Sequence, residues 1–278
     1  MPKPIIYIAA IPLVVVVILA VAIFFTLKPK PVVAPGPVEE IEQDEEPKPS
    51  ENLEARVPII IYHHVREAKP TDSESDKQFI ISPADFESQM KYLADNNFTT
   101  ISFKNLVDYF SGQFELPNKP VIISFDDGTI SQYQNAFPLL KKHNLTATFF
   151  IFTNPISRSE NYMTWEQLKE MADAGMEIGS HGHYHLYFDR INEGELAKEL
   201  SGSKEILEKQ LGKQVYAVAY PFGTFDEKVV ESLKEAGYLA ARGIANGVDH
   251  TAEDLYDLNA YFVTSNFSRF VNIVNQKN

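Results

Sequence analysis

The sequence predicts an α/β fold, a distorted (β/α) barrel of about seven or eight strands, and three observations carry that expectation. From Val57 onward, short apolar runs alternate with amphipathic patterns of helical period, which implies a parallel sheet covered by helices. The alternation continues over about 220 residues, a length that suits a barrel better than an open sheet. His63, Asp126, Asp127, His181 and Tyr220 all fall where the expected strands end, and barrels of parallel strands carry their sites at that end.

Two segments precede the barrel. Ile5 to Leu27 is apolar apart from Tyr7, Pro12 and Thr26, long enough to cross a hydrocarbon core with some tilt. The run ends Phe24-Phe25-Thr26-Leu27-Lys28, without the small residues of a cleavage site, so residues 1–28 read as an uncleaved anchor rather than a signal peptide. Lys3 on one side and Lys28 and Lys30 on the other leave its orientation open. Residues 29–56 read as a disordered linker, because six prolines and an acidic block from Glu39 to Glu46 cannot bury a core. Residues 57–278 are then the folded domain.

Its elements follow in order. Val57 to Tyr62 reads as a strand running into His63-His64. Ser82-Pro83 is an N-cap followed by proline at the first helical position, and Phe86, Met90 and Leu93 give that helix one apolar face. Thr99 to Ile101 is a short strand, and Ser102 caps the next helix. Val121 to Phe125 is an apolar strand after Pro120, followed by a helix through Leu140. Ala147 to Phe152 is a strand, and Thr164 caps a helix that Gly175 ends. Glu177 to Ser180 leads into His181. Glu195 to Leu211 reads as one long amphipathic helix, Tyr216 to Tyr220 as a strand, Asp226 to Ala236 as a helix ending at Gly237, and Leu239 to Gly243 as the next strand. No internal repeat is visible.

Composition narrows the chemistry. The chain has no cysteine, so any metal must be held by histidine and carboxylate. A net charge of −13 argues against nucleic acid as a partner. An uncharged or cationic glycan is compatible with it, and nothing calls for an obligate protein partner.

The stretch Ile122-Ile123-Ser124-Phe125-Asp126-Asp127-Gly128 is the centre of the reading. Adjacent side chains on a strand point to opposite faces, so one carboxylate can bind a metal while the other faces a water. Asp-Asp-Gly alone is also an ordinary turn. Three of the seven histidines, however, lie in His181-Gly182-His183-Tyr184-His185. His181 and His185 are close enough in sequence to reach one ion, and two histidines with one aspartate leave coordination positions open, as a catalytic metal set does.

These residues resemble the NodB-homology polysaccharide deacetylases, carbohydrate esterase family 4. Ser124 to Gly128 is similar to the family's first motif, Glu177 through His185 to its His-x-x-x-His motif, and Ala219-Tyr-Pro-Phe-Gly223 to its third. Met163-Thr-Trp-Glu-Gln-Leu168 matches the usual lead-in. The resemblance implies that Asp127, His181 and His185 bind a divalent metal. Zinc suits these nitrogen and oxygen donors, and Co2+ or Ni2+ could also fit. It implies that Asp126 is the general base, that the Phe222 N–H stabilises the oxyanion, and that Tyr220 of the same motif lies at the substrate.

Two departures matter. Ala219 stands where the third motif often has an arginine that orients the base, and the C-terminal Leu-x-His that supplies the acid is absent. Ile59 to Val65 is similar to the Tyr-His segment of the poly-N-acetylglucosamine deacetylases, which implies His63, near its ordinary pKa, as the acid; a packed strand-end histidine is the alternative. His64 has no assigned role, His183 reads as a loop residue, and Trp165 reads as a packing anchor rather than a sugar platform. The expectation is a single-pass cell-membrane protein with an extracytoplasmic domain that removes N-acetyl groups from N-acetylglucosamine units of a surface or cell-wall polysaccharide. The rivals are a catalytically silent glycan-binding domain on this fold and a metal-dependent esterase or small-amide hydrolase.

Overall fold

The computed structural model describes residues 53–276; the expected anchor and all of the linker up to residue 52 lie outside them. Among the described residues no helix is long and apolar enough to cross a membrane. The ordered domain begins earlier than Val57. Glu54–Arg56 is a strand, β1, that buries Ala55 and pairs antiparallel with Asp249–Thr251, so the last linker residues belong to the fold.

Ile59–Tyr62 forms β2, and two short strands, β3 (His64–Val65) and β4 (Ile80–Ile81), pair with each other in parallel beside it. Thr99–Thr100 is β5, Pro120–Phe125 β6, Thr148–Ile151 β7, Glu177–Ser180 β8, Ala217–Ala219 β9, Ala240–Arg242 β10, Asp249–Thr251 β11 and Tyr261–Phe262 β12. The main sheet runs β10-β9-β8-β7-β6-β2-β12, with β5 added on β6, and every pairing in it is parallel. The sheet curls towards a barrel that closes imperfectly. Between its ends there is the single bridge of Arg242 with Leu258, after which the chain crosses to β2 through Tyr261.

β2 and β6 are buried along their whole length, as strands covered on both faces are. The faces differ by parity. Ile60, Tyr62, Ile123, Phe125, Phe149, Ile151 and Val218 pack outward against the helices. Ile59, Ile61, Ile122, Phe150, Ala217, Ala219 and Ala240 fill the interior, where alanines on β9 and β10 suit a narrow lumen. Continuing the interior parity past the strand ends gives His63, Asp126, His181 and, at the end of β10, Arg242. At the opposite end Glu177 closes the lumen, accepting the N–H groups of Phe103 (2.9 Å) and Lys104 (3.1 Å) and the Thr148 hydroxyl (2.7 Å).

The expected caps form: Ser82, Ser102 and Thr164 each accept a backbone N–H of the helix they open, and Asp226, read as the first residue of its helix, also serves as a cap. Two helices differ from expectation. Glu193–Ala197 and Ser203–Leu211 are separated by a π-turn, Lys198–Gly202, rather than forming one regular α-helix. The helix after the Asp pair likewise opens with a π-turn, Gln132–Ala136, before Phe137–Lys142.

Candidate active site

The backbone leaves β6 through an abrupt left-handed bend. Asp127 has φ 79°, a conformation that costs energy in any residue but glycine, and Gly128 follows at φ 76°. The bend sends Asp126 and Asp127 in different directions, as two separate tasks require.

Asp127 faces the histidine loop. Its Oδ1 lies 3.8 Å from His181 Nε2 and 3.5 Å from His185 Nε2, and the two imidazole nitrogens are 3.1 Å apart. A point equidistant from these three atoms lies about 2.0 Å from each, which is the ligand distance of zinc for both nitrogen and carboxylate oxygen. His181 Nδ1 is 2.7 Å from the Ala219 carbonyl, to which it donates. That fixes the tautomer and leaves Nε2 free as a ligand. Burial lowers the His181 pKa to about 3 and also lowers that of His185, so both rings are neutral, the form that binds metal. Burial, reinforced by the charge of Asp126, pushes Asp127 up to about 7. A carboxyl so disfavoured as an anion is one that a cation would stabilise.

Asp126 is the opposite case. Burial would raise its pKa, but the Arg242 guanidinium outweighs burial and holds it below the ordinary value. Arg242 Nη2 lies 2.6 Å and 2.7 Å from the two carboxylate oxygens, and Arg242 is fully buried. The position vacated at Ala219 is thus served from the next strand. His63 Nε2 stands 3.8 Å from Asp126 Oδ2, its ring packed against those of Phe79 (centroids 4.8 Å) and Phe262 (5.6 Å). Its pKa is not near the ordinary value: burial lowers it to about 4, more than Asp126 can restore.

His63, Asp126, Asp127, His181 and His185 open into one cleft of about 640 Å³, lined also by His64, Arg66, Phe79, Phe222 and Ile244. Phe222 sits at its lip with φ 62°, 46 % exposed and stacked on Tyr187. Tyr220 also lines the cleft. Its ring is buried and stacked on Phe225, and its hydroxyl donates to the Tyr256 carbonyl at 2.8 Å, so the phenol is engaged in holding the wall and is not free for a ligand. His183 stands outside the triad, 2.6 Å from Thr153. Trp165 packs against the core and is not among the cleft residues.

Two residues of this neighbourhood escaped sequence reasoning. Arg242 carried a signal, an arginine ending an otherwise apolar strand, whose buried charge demands a partner. Glu199 carried none. Lying on the π-turn Lys198–Gly202, it accepts the N–H groups of His183 (2.8 Å) and Tyr184 (3.0 Å) and so anchors the loop between His181 and His185. A side chain at Gly182 (φ 85°) would meet the Glu199 carboxylate at 2.4 Å, which is why glycine stands there.

A model of the family described as polysaccharide deacetylase matches residues 114–241. A solved polysaccharide deacetylase from Bacillus cereus is 31% identical, with a TM-score of 0.69, and the match covers 80% of this chain and 69% of that one. The Streptococcus pyogenes deacetylase PplD, solved with acetate, is 25% identical, with a TM-score of 0.74, over 81% of this chain and 100% of that one. A poly-beta-1,6-N-acetyl-D-glucosamine N-deacetylase of Staphylococcus aureus is 29% identical over 216 residues, 70% of this chain and 74% of its own length. The chain belongs to the polysaccharide deacetylase family, and it is an enzyme of that class.

Two outcomes follow from the electrostatics. Arg242→Met removes the charge that offsets burial at Asp126, so the Asp126 pKa should rise, and the acid limb of the pH–rate profile should move up by about one to three units. Chemical denaturation should show a loss of about 3–5 kcal/mol, because a buried charge is left unpaired, while Arg242→Lys should keep most of both. An acid limb unmoved in Arg242→Met would show that Asp126 does not depend on Arg242. Separately, Asp127 must lose its proton to act as a ligand, whereas the imidazoles have none to lose. The affinity of the metal-free protein for zinc, titrated at stepped pH, should therefore be level above about pH 7 and fall about tenfold per unit below it. An affinity flat from pH 5 to 8 would contradict this.

Proposed function

We propose that this enzyme hydrolyses the acetamido group of N-acetylglucosamine units in a surface or cell-wall polysaccharide, and that it depends on a divalent metal, zinc first. The observation that carries the proposal is the arrangement of Asp127, His181 and His185 around one point, with Asp126 and His63 facing the same cleft. Its chemistry agrees with the N-deacetylase activity for which the Staphylococcus relative is named. When bound, a metal there would polarise the amide carbonyl and make water more acidic.

The protein's own groups do the rest. Asp126, ionised and held by Arg242, takes the proton of the attacking water. The Phe222 N–H, at the cleft lip, donates to the oxygen on which negative charge develops. His63 delivers a proton to the leaving amine. Because His63 is neutral in the free site, that proton has to arrive during the reaction, and Asp126 is the nearest group that gains one. For residues 1–28 we propose a membrane anchor with the domain outside the cytoplasm, motivated by a polymeric substrate that is itself at the surface. A protein starting at Glu51 should then be soluble and fully active.

Acetate release from poly-N-acetylglucosamine, chitin oligomers and peptidoglycan, with and without chelation, tests the reading. Chelated protein should lose activity and regain it with zinc. His63→Ala should lower kcat by about 10²-fold with metal content unchanged, the usual size of general acid catalysis. Undiminished acetate release from metal-free protein would overturn metal dependence, and no release from any of the three glycans would overturn the substrate class.

A further inference from the structure

The parallel ladder between β2 and β6 ends where the chemistry begins. Its last backbone bond runs from the Asp126 N–H to the Tyr62 carbonyl, 3.0 Å. Beyond it the strands diverge. His64 turns away to bond the Phe79 carbonyl, 3.0 Å, and Asp127 enters its left-handed bend. The carbonyls of His63 and Asp126 are thereby left without a backbone donor from the neighbouring strand, at a depth where an unpaired carbonyl is costly.

One side chain serves both. Gln132, with no exposed surface, donates from Nε2 to the His63 carbonyl at 2.8 Å and to the Asp126 carbonyl. It lies at the start of the π-turn Gln132–Ala136, and Asn135 of the same turn donates to the Val65 carbonyl at 2.7 Å. Isolated π-turns in helices recur at functional sites, and this one delivers two amides to the backbone on both sides of His64. Gln132 Oε1 is buried without a partner. The amide thus serves two carbonyls at the cost of one unpaired acceptor.

We infer that Gln132 is a positioning residue: it replaces the missing rung between two diverging strand ends and so sets the distance between the His63 imidazole and the Asp126 carboxylate. The inference rests on the proposed roles of those two residues and adds what holds them in register. Gln132 is itself neither a member of the triad nor a cleft-lining residue; it bonds the backbone of His63 and Asp126, so its loss should act on that pair and leave metal and substrate binding in place.

Gln132→Met keeps length and removes both donors. It should fold, hold metal at the wild-type stoichiometry and keep KM within twofold, while kcat for acetate release falls about tenfold or more, since small misplacements of reacting groups are costly. Its crystal structure should show His63 Nε2 and Asp126 Oδ2 farther apart than the present 3.8 Å. Gln132→Asn keeps the amide but is one methylene too short to span both carbonyls. It should show the same split, and it serves if the methionine variant does not fold. Wild-type kcat in either folded variant, a kcat loss that only follows metal loss, or an unchanged separation would overturn the proposal. If the wild type itself releases no acetate, the deacetylase reading has failed, and the crystallographic separation alone decides the positioning role.

Discussion

The contact between Arg242 and Asp126 is the constraint on which the rest of the site depends. A carboxyl buried at the mouth of an apolar lumen would ordinarily take up a proton. Arg242 prevents this from inside the barrel, reaching both carboxylate oxygens. The pair is a poor device for stability alone, because desolvating two charges offsets most of their attraction, and Arg242 Nε is left buried without a partner. Its consequence is chemical: it keeps one carboxylate ionised. It also sets the contrast with the next residue. Asp127 lacks that guanidinium contact and feels the charge of Asp126, so burial raises it. Two adjacent aspartates are thus separated into an anion already satisfied and an anion awaiting a cation.

Strand parity is what makes this possible with so few residues. Each strand contributes its next interior-facing residue at the point where the sheet runs out: His63 after β2, Asp126 after β6, His181 after β8, Arg242 at the end of β10. Deeper in the barrel these positions include Ile59 and Ile61 on β2, Ile122 on β6 and Ala240 on β10; at the strand ends they are ionisable. The abrupt change marks the boundary between core and site. Devices that hold the ends are not strands at all. Glu199 and Gln132 both sit on π-turns, where an extra residue in the helical turn redirects a side chain inward.

Much of this was legible from the sequence because it is local or periodic. The alternation of strand and helix, the N-caps at Ser82, Ser102 and Thr164, and the clustering of Asp126, Asp127, His181 and His185 at strand ends need only neighbouring residues to be read. Arg242 pairs with a residue 116 positions away, and the family match stops at residue 241, so neither local pattern nor motif reached it. Parity would have: Ala240 faces inward, therefore so does Arg242, and a buried arginine needs an acid. Glu199 and Gln132 were illegible for another reason. Each looks like an ordinary polar residue in a helical pattern, and only the π-turn, which has no reliable sequence signature, turns it towards the site. The partner of the Tyr220 phenol was not legible either, because its place in a motif says nothing of Tyr256, whose carbonyl it meets.

The depressed pKa of His63 changes how the proposed reaction must handle its proton. A histidine near its ordinary pKa could start protonated and act as acid directly. His63 cannot, because Phe79 and Phe262 pack against its ring and burial outweighs the attraction of Asp126. On the deacetylase reading, the attacking water surrenders one proton to Asp126 and the departing amine requires one. The reaction is therefore balanced within the pair, and the resting site need hold neither an acid nor a spare proton. For this to work the two groups must stay close but not bonded, and their 3.8 Å separation is of that kind. It is short enough to close in one small movement, and long enough that Asp126 in the free site is neutralised by Arg242 instead of by the imidazole. The aromatic pair that depresses His63 and the guanidinium that depresses Asp126 then act together. Each holds its partner deprotonated, so that the first proton to enter the site is the one taken from water.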